Sequence, residues 1–328
     1  MRLVWLLLDS VIGRSLLNRI ANYRLTNLTI KQLICSKGKI LSPRARSVIQ
    51  EALPNKSVKI NEEDLQVAIV TREKDSKYLE ICIASIKMTH PELSRNIHVI
   101  CPDEDFTSLR YRIDDDVVIH TDSEFLDLEI QRELLRFDVE RRGWIRQQIL
   151  KFNFTVMSDA FATLLVDSDT LILDHQNWAD KNGVQLLAIS DEYHEPYDLQ
   201  SYKFFETFFK QKPKRMRVSF VTHHQVMQKR ILKVMFNADE SGNCSAGLLS
   251  WMRSINQKHL SGACEWHTYG SYILQTEPKN VVLYRWLNSA VPPEKFDGMT
   301  SLRHKRSVSE IRELFPKLNS ISLHHYLR

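Results

Sequence analysis

Glycine is scarce in this chain, nine in 328 residues. That argues against an all-β protein built on many tight turns, which draw on glycine's backbone freedom. Cysteine is equally uninformative as a framework. The five thiols (Cys35, Cys82, Cys101, Cys244, Cys264) are odd in number and show neither a C-x-x-C pair nor zinc spacing. In a chain this long they read as reduced and mostly buried, which points to the cytoplasm. Long hydrophobic runs are missing too. Leu3–Leu8 is too short to span a bilayer and Asp9 interrupts it. No small-residue cleavage site follows, so a signal peptide is not expected. There is no low-complexity tract and no internal repeat.

What is present suits a soluble enzyme with a sizeable core: 43% hydrophobic and 26% charged residues. The charge is unevenly spread. Residues 1–60 hold eleven Lys/Arg against Asp9 and Glu51, a net +9, which leaves the rest of the chain at −4. A mildly acidic body excludes a dedicated nucleic-acid binder, which needs a broad basic face. Within the arm, Leu3, Leu6, Leu7, Ile12, Leu16, Leu17 and Ile20 recur at helical spacing. Such a helix either packs on the body or meets a membrane surface or partner. The division is therefore a basic, helical arm over 1–60 and a catalytic domain over 61–328.

Within the body, Leu65–Val70 is an apolar run suited to a buried parallel strand. A helix over Asp75–Met88, stopped by Pro91, leads to a second strand at Ile97–Cys101, and this is a βαβ unit. Another strand is expected at Asp116–His120. Gly143–Met157 is the clearest helix, with Ile145, Ile149, Phe152 and Val156 on one stripe and Arg146, Gln147, Gln148 and Lys151 opposite. The uncharged run Phe161–Val166 predicts a central strand, and Val184–Ser190 and Val218–Thr222 predict further ones. The fold class is α/β with a mostly parallel sheet flanked by helices.

Asp167-Ser168-Asp169 follows the central strand directly. Ligands of open α/β sheets collect outside the carboxyl ends of strands. Residues i and i+2 of an extended backbone project to one side, so both carboxylates can face one ligand. Two hard oxygen donors suit Mg²⁺ or Mn²⁺, and such an ion would neutralise a departing diphosphate. The plainer alternative is a solvated turn at a strand end.

The stretches Gly143-Trp144-Ile145-Arg146-Gln147-Gln148-Ile149-Leu150-Lys151 and Leu164-Leu165-Val166-Asp167-Ser168-Asp169-Thr170 resemble GT-A glycosyltransferases, most closely a sparsely characterised bacterial family. Phe220-Val221-Thr222-His223-His224-Gln225-Val226-Met227 and Glu265-Trp266-His267-Thr268-Tyr269-Gly270 extend the likeness, which covers roughly residues 65–290. The resemblance implies a Rossmann-type GT-A domain that moves a sugar from a nucleotide-sugar donor to a glycan or lipid-linked acceptor in cell-surface polysaccharide synthesis. It implies that Asp167 and Asp169 hold the metal and the donor's ribose–diphosphate portion. Gln147 and Lys151 would face the donor, and Thr71 and Asp75 belong to the same binding set. Glu265 falls where inverting enzymes carry a carboxylate base; an acid at a helix start, favoured by the dipole, is the alternative. Of the pair His223-His224 the reading favours His224, since adjacent strand residues face opposite ways. His324 or His325 could supply a C-terminal metal ligand, as GT-A enzymes often do.

Phe204, Phe205, Phe208 and Phe209, among the basic residues of Tyr202–Arg217, suit either a membrane interface with an anionic glycolipid or an amphipathic helix packed on the body. Trp286 reads as a sugar-stacking ring or a core residue. The expected setting is cytoplasmic, with peripheral contact on the inner membrane face through the arm or residues 202–217. Two rivals stand against transfer. A HAD-type phosphatase also opens on D-x-D, but needs Thr where this chain has Leu171. The other is a sugar-nucleotide-binding scaffold without turnover.

Overall fold

The structure, a computed structural model, describes residues 65–323 except 180–183, 191, 209–212, 217, 260, 294–295 and 297–307. The expectations for the arm over 1–60, for Cys35 and for His324 and His325 lie outside the described residues.

The chain opens with β1 (Leu65–Val70), α1 (Ser76–Thr89), β2 (Ile97–Cys101), α2 (Asp103–Arg110) and β3 (Val118–Thr121). Then come α3 (Leu128–Leu134), α4 (Val139–Met157), β4 (Ala162–Asp167), β5 (Thr170–Ile172), β6 (Gln185–Ile189) and α5 (Glu195–Phe208). The last part holds β7 (His224–Gln228), α6 (Lys229–Met235), α7 (Ser245–Ser254), α8 (Glu265–Thr276), β8 (Val281–Arg285), β9 (Asn288–Val291), α9 (Val308–Leu314) and β10 (Ser320–Leu323).

The central sheet has the order β3-β2-β1-β4-β7. Its first four strands are parallel, and β7 closes the edge antiparallel to β4. Smaller sheets of order β5-β10-β9 and β6-β8 lie beside it. Alternation along the strands splits the core in two. Ala68, Val70, Leu165 and Met227 face Ile145, Ile149 and Phe152 of α4 together with α7 and α8. Val67, Ile69, Leu164, Val166 and Val226 face Leu79 and Ile83 of α1. Both faces are covered, which is why β1 and β4 read as unbroken apolar runs.

Three expectations change. Val218–Thr222 is not a strand. Only Ser219 bridges to Ser190, because the Ser219 hydroxyl donates to Glu192 O and accepts from Val221 N, drawing the backbone away from a ladder. The strand begins instead at His224. The helix α4 starts four residues before Gly143, which sits exposed within it; an interior glycine costs about 1 kcal/mol relative to Ala, too little to end so long a helix. In α5, Phe204 and Phe205 are buried in the core, and Arg215 beyond it pairs with Glu195 and Asp198. These two rings follow the alternative of an amphipathic helix packed on the body; Phe209, Lys210 and Lys212 lie outside the described residues. Among the described residues, no helix is long and apolar enough to cross one.

Candidate active site

The strand order turns back between β1 and β4: the chain moves outward from β1 to β2 and β3, then returns to β1's other side. Ligands in doubly wound sheets bind at such a reversal, beyond the carboxyl ends of the strands. Val70 pairs with Asp167 there. Thr71 and Asp75 follow β1 and Asp169 follows β4, so two separated parts of the sequence meet at one rim. Thr71 is buried, with its hydroxyl on Arg72 O and its N–H donating to Ile100 O.

Two helices deliver side chains to Asp167. Leu165 lies on the α4 side of the sheet, so Asp167, two residues on, faces the same way. Lys151 of α4 donates from Nζ to Asp167 Oδ1 and also to Glu265 Oε1, at 2.5 Å, on the first turn of α8. The ammonium lies 4.1 Å from the ring centroid of Trp266. Gln148, one turn earlier on α4, accepts from the Glu265 backbone N–H at 3.0 Å. From the other side His223 Nδ1 meets Asp167 Oδ2 at 3.1 Å, and its Nε2 meets Glu192 Oε2 at 3.3 Å. Both Asp167 oxygens are therefore held by cationic groups.

Burial alone would lower the Lys151 ammonium's pKa, but Asp167 and Glu265 outweigh it and hold the group charged. Burial would likewise discharge His223, yet Asp167 and Glu192 raise it to about 10. Asp167 resists its own burial through Lys151 and His223 and stays below the ordinary carboxylate range. Asp169 differs. Burial first, then repulsion from Asp167 and Asp75, pushes it up to about 7, against His223's charge and a backbone hydrogen bond. Glu265 is raised by burial and by Asp167 despite Lys151.

Those interactions also test for a divalent ion. Five acids (Asp75, Asp167, Asp169, Glu192, Glu265) act on one another around two cations, Lys151 and His223. Fully ionised, the rim is three negative charges in excess and would repel a diphosphate. Asp169, among the described residues in no ion pair, is where an added cation relieves most repulsion. The donor set fits a hard cation at Asp169, with Asp167 joining through the remaining lone pairs of the oxygens that already meet Lys151 and His223.

Of the residues read from sequence, Asp167, Lys151 and Glu265 are in direct contact, and Asp169 and Asp75 act on the same cluster. His224 is not part of it. It is buried between Trp178 and Trp286, its Nδ1 on Thr222 O, and burial pushes it down to about 3. The histidine that reaches Asp167 is His223, because it precedes β7 rather than lying in it and turns at φ 59°. Gln147 is half-buried on α4, while its neighbour Gln148 makes the contact with Glu265. Trp286 is a core residue, its indole N–H donating to Ser320 Oγ at 2.6 Å. From the sequence, His223 is weighed but His224 preferred, because the β4–β7 register that decides between them is not local; Glu192, beyond β6, is not singled out and joins the cluster through His223. A groove of about 1180 Å³ around Gln66, Asn96, Phe154 and Lys229 lies at the opposite rim and is separate from these carboxylates.

The chain belongs to the family of unknown function DUF6492, whose model matches residues 64–308. No curated protein matches it. Among solved structures it is similar to an active-site mutant of LgtC, at 12% identity and a TM-score of 0.43, covering 79% of this chain and 86% of that one. The galactosyltransferase LgtC in complex with donor and acceptor sugar analogues matches at 11% identity, a TM-score of 0.40 and the same coverage. Mouse xyloside xylosyltransferase 1 in its apo form matches at 10% and 0.40, covering 79% of this chain and 96% of that one.

Proposed function

We propose that this chain is a metal-dependent glycosyltransferase that moves a sugar from a nucleotide-sugar donor to a glycan or lipid-linked acceptor. The observation that carries the reading is the convergence at the strand-order reversal: Asp167 and Asp169 leave β4 there, and Lys151 ties Asp167 to Glu265. Asp169 and Asp167 would hold Mn²⁺ or Mg²⁺. Bound there, the ion would offset the charge of a leaving nucleoside diphosphate.

The protein's own groups supply the rest. Lys151 fixes the Asp167 and Glu265 carboxylates relative to each other, so donor and acceptor sides share one reference point. His223 pins the second Asp167 oxygen. Glu265 is the candidate base for the acceptor hydroxyl, and burial makes it more basic than an ordinary carboxylate. A cytoplasmic setting, with the basic arm over 1–60 against an anionic inner membrane face, completes the proposal.

A thermal-shift screen of UDP-, GDP-, CMP- and dTDP-sugars with and without Mn²⁺ tests it. One nucleotide class should raise the melting temperature, and more so with Mn²⁺, by mass action on the native state. No shift with any nucleotide would sink the reading. Release of nucleoside diphosphate separates an enzyme from a scaffold, and turnover of a generic phosphomonoester would favour a phosphatase.

A further inference from the structure

Away from the carboxylate rim, α1 runs back along the sheet and ends at Thr89-His90, followed by Pro91-Glu92. The chain beyond β5 brings His175 to the same place. The His90 and His175 ring centroids are 4.9 Å apart, and Trp178 packs against His90 at 5.1 Å. His90, Glu92 and His175 each offer one ligand atom, and these atoms lie within 4.8 Å of one another.

One residue meets both rings at their Nδ1 atoms. The Thr89 hydroxyl donates to Ser85 O at 2.7 Å, so towards His90 Nδ1, at 2.8 Å, its oxygen can only accept. With that proton on Ser85 O, His90 carries its own on Nδ1 and its Nε2 lone pair meets the Gln176 N–H at 3.1 Å; the Gln176 carbonyl is also 3.1 Å away, and the other tautomer would donate Nε2–H to it and close the site. The Thr89 carbonyl, which can only accept, takes a proton from His175 Nδ1 at 2.8 Å. His175 Nε2 is thus also left with a lone pair. Metal-binding histidines are oriented in this way, with the remote nitrogen donating to an oxygen behind it.

We propose that His90, His175 and Glu92 form a second metal site, selective for a zinc-class transition ion. Two imidazole nitrogens and one carboxylate suit Zn²⁺, whereas Mg²⁺, Mn²⁺ and Ca²⁺ prefer all-oxygen sets. Nitrogen ligands sit about 2.0–2.1 Å from zinc, and tetrahedral neighbours are then about 3.3 Å apart, so the ligand atoms must close by up to about 1.5 Å. His175 and Glu92 are exposed and can swing; buried His90 is the fixed point. Binding would take the His90 Nε2 lone pair from the Gln176 N–H, 3.1 Å away, leaving that half-buried N–H to solvent. The ion would tie the end of α1 to the chain between β5 and β6, a structural role independent of sugar transfer.

The test uses the full-length chain stripped of metal, titrated calorimetrically with Zn²⁺ and followed in the visible spectrum with Co²⁺. The expected result is one tight equivalent of Zn²⁺ and the absorption of low-coordinate Co²⁺ with nitrogen ligands. His175→Ala should weaken that equivalent on the order of a hundredfold or more, since a lost ligand costs at least as much as a lost outer-shell partner. Glu92→Gln should weaken it about tenfold. Asp169→Ala should leave it intact, which separates this site from the proposed transfer centre. Both varied ligands are exposed, so folding should survive, to be checked by circular dichroism. Absence of the tight equivalent in the parent protein, or unchanged affinity in either ligand variant, overturns the site.

Discussion

Lys151 and Glu265, 114 residues apart in the chain, are joined by a 2.5 Å hydrogen bond closed to solvent. The same ammonium holds Asp167, so α4, β4 and α8 meet at one nitrogen. Among the described residues, neither carboxylate has another cation of comparable burial beside it except His223, on Asp167 alone.

Replacing that ammonium should be severe. Lys151→Met leaves the buried Glu265 uncompensated and Asp167 with His223 alone, and is expected to cost about 3–5 kcal/mol of stability. Urea unfolding checks it. A loss below about 1 kcal/mol would mean that the carboxylates are neutralised by other means.

Asp169→Asn should act in the opposite direction. Asp169 titrates at about 7 in the folded protein, against about 3.9 in an unfolded chain. A raised pKa means that its favourable contribution is fully present below pH ~4 and is lost as pH rises through 7. The parent protein should therefore lose stability over that window relative to the variant, by a few kcal/mol at most. Melting temperatures from pH 4 to 8 would show the curves diverging upward for Asn. The same variant should lose the Mn²⁺-dependent part of any donor-induced shift.

For His223 the informative change is to Asn, which tolerates the backbone at φ 59° while removing the ring. Loss of its two charged hydrogen bonds should cost about 1.5–3 kcal/mol near pH 7. With a folded pKa of about 10 and an unfolded value near 6.5, the stabilisation is complete below pH ~6.5 and lost as pH rises through 10. The gap between parent and variant should narrow over that range. His224→Asn, which opens a gap between two tryptophans, should destabilise without that pH dependence.

Gly270 sits where α8 crosses Phe220, and a Cβ there would meet the Phe220 ring at 2.4 Å. Phe220 is fully buried and has nowhere to go. Gly270→Ala is expected to cost about 1–3 kcal/mol by overpacking. Chemical denaturation reads this directly, and an unchanged midpoint would mean that the helix shifts freely.

Much of the fold was legible because burial on both sheet faces writes itself locally. Leu65–Val70 and Ile97–Cys101 have the bounds their apolar runs suggest. The run His224–Gln228 was not legible, since it carries two glutamines and a histidine. All three are buried nonetheless, and for Gln228 the partner is distant: its Nε2 bonds Gln185 Oε1, 43 residues away, and the Tyr269 hydroxyl joins the same oxygen. Side chains satisfied that far along the chain leave no local pattern. The site divides likewise. Asp167 and Asp169 follow from a strand end and Lys151 from a helix face. His223, Gln148 and Glu192 depend on how separate elements come to rest.

The antiparallel edge has a wider implication. Val166 is level with His224, so the next rung, where the Asp167 N–H reaches the His223 carbonyl at 2.9 Å, belongs to the residue just before the strand. Which imidazole greets the acid is thus a matter of counting. A shift of one rung would bury the working ring between the tryptophans and bring its twin to the rim.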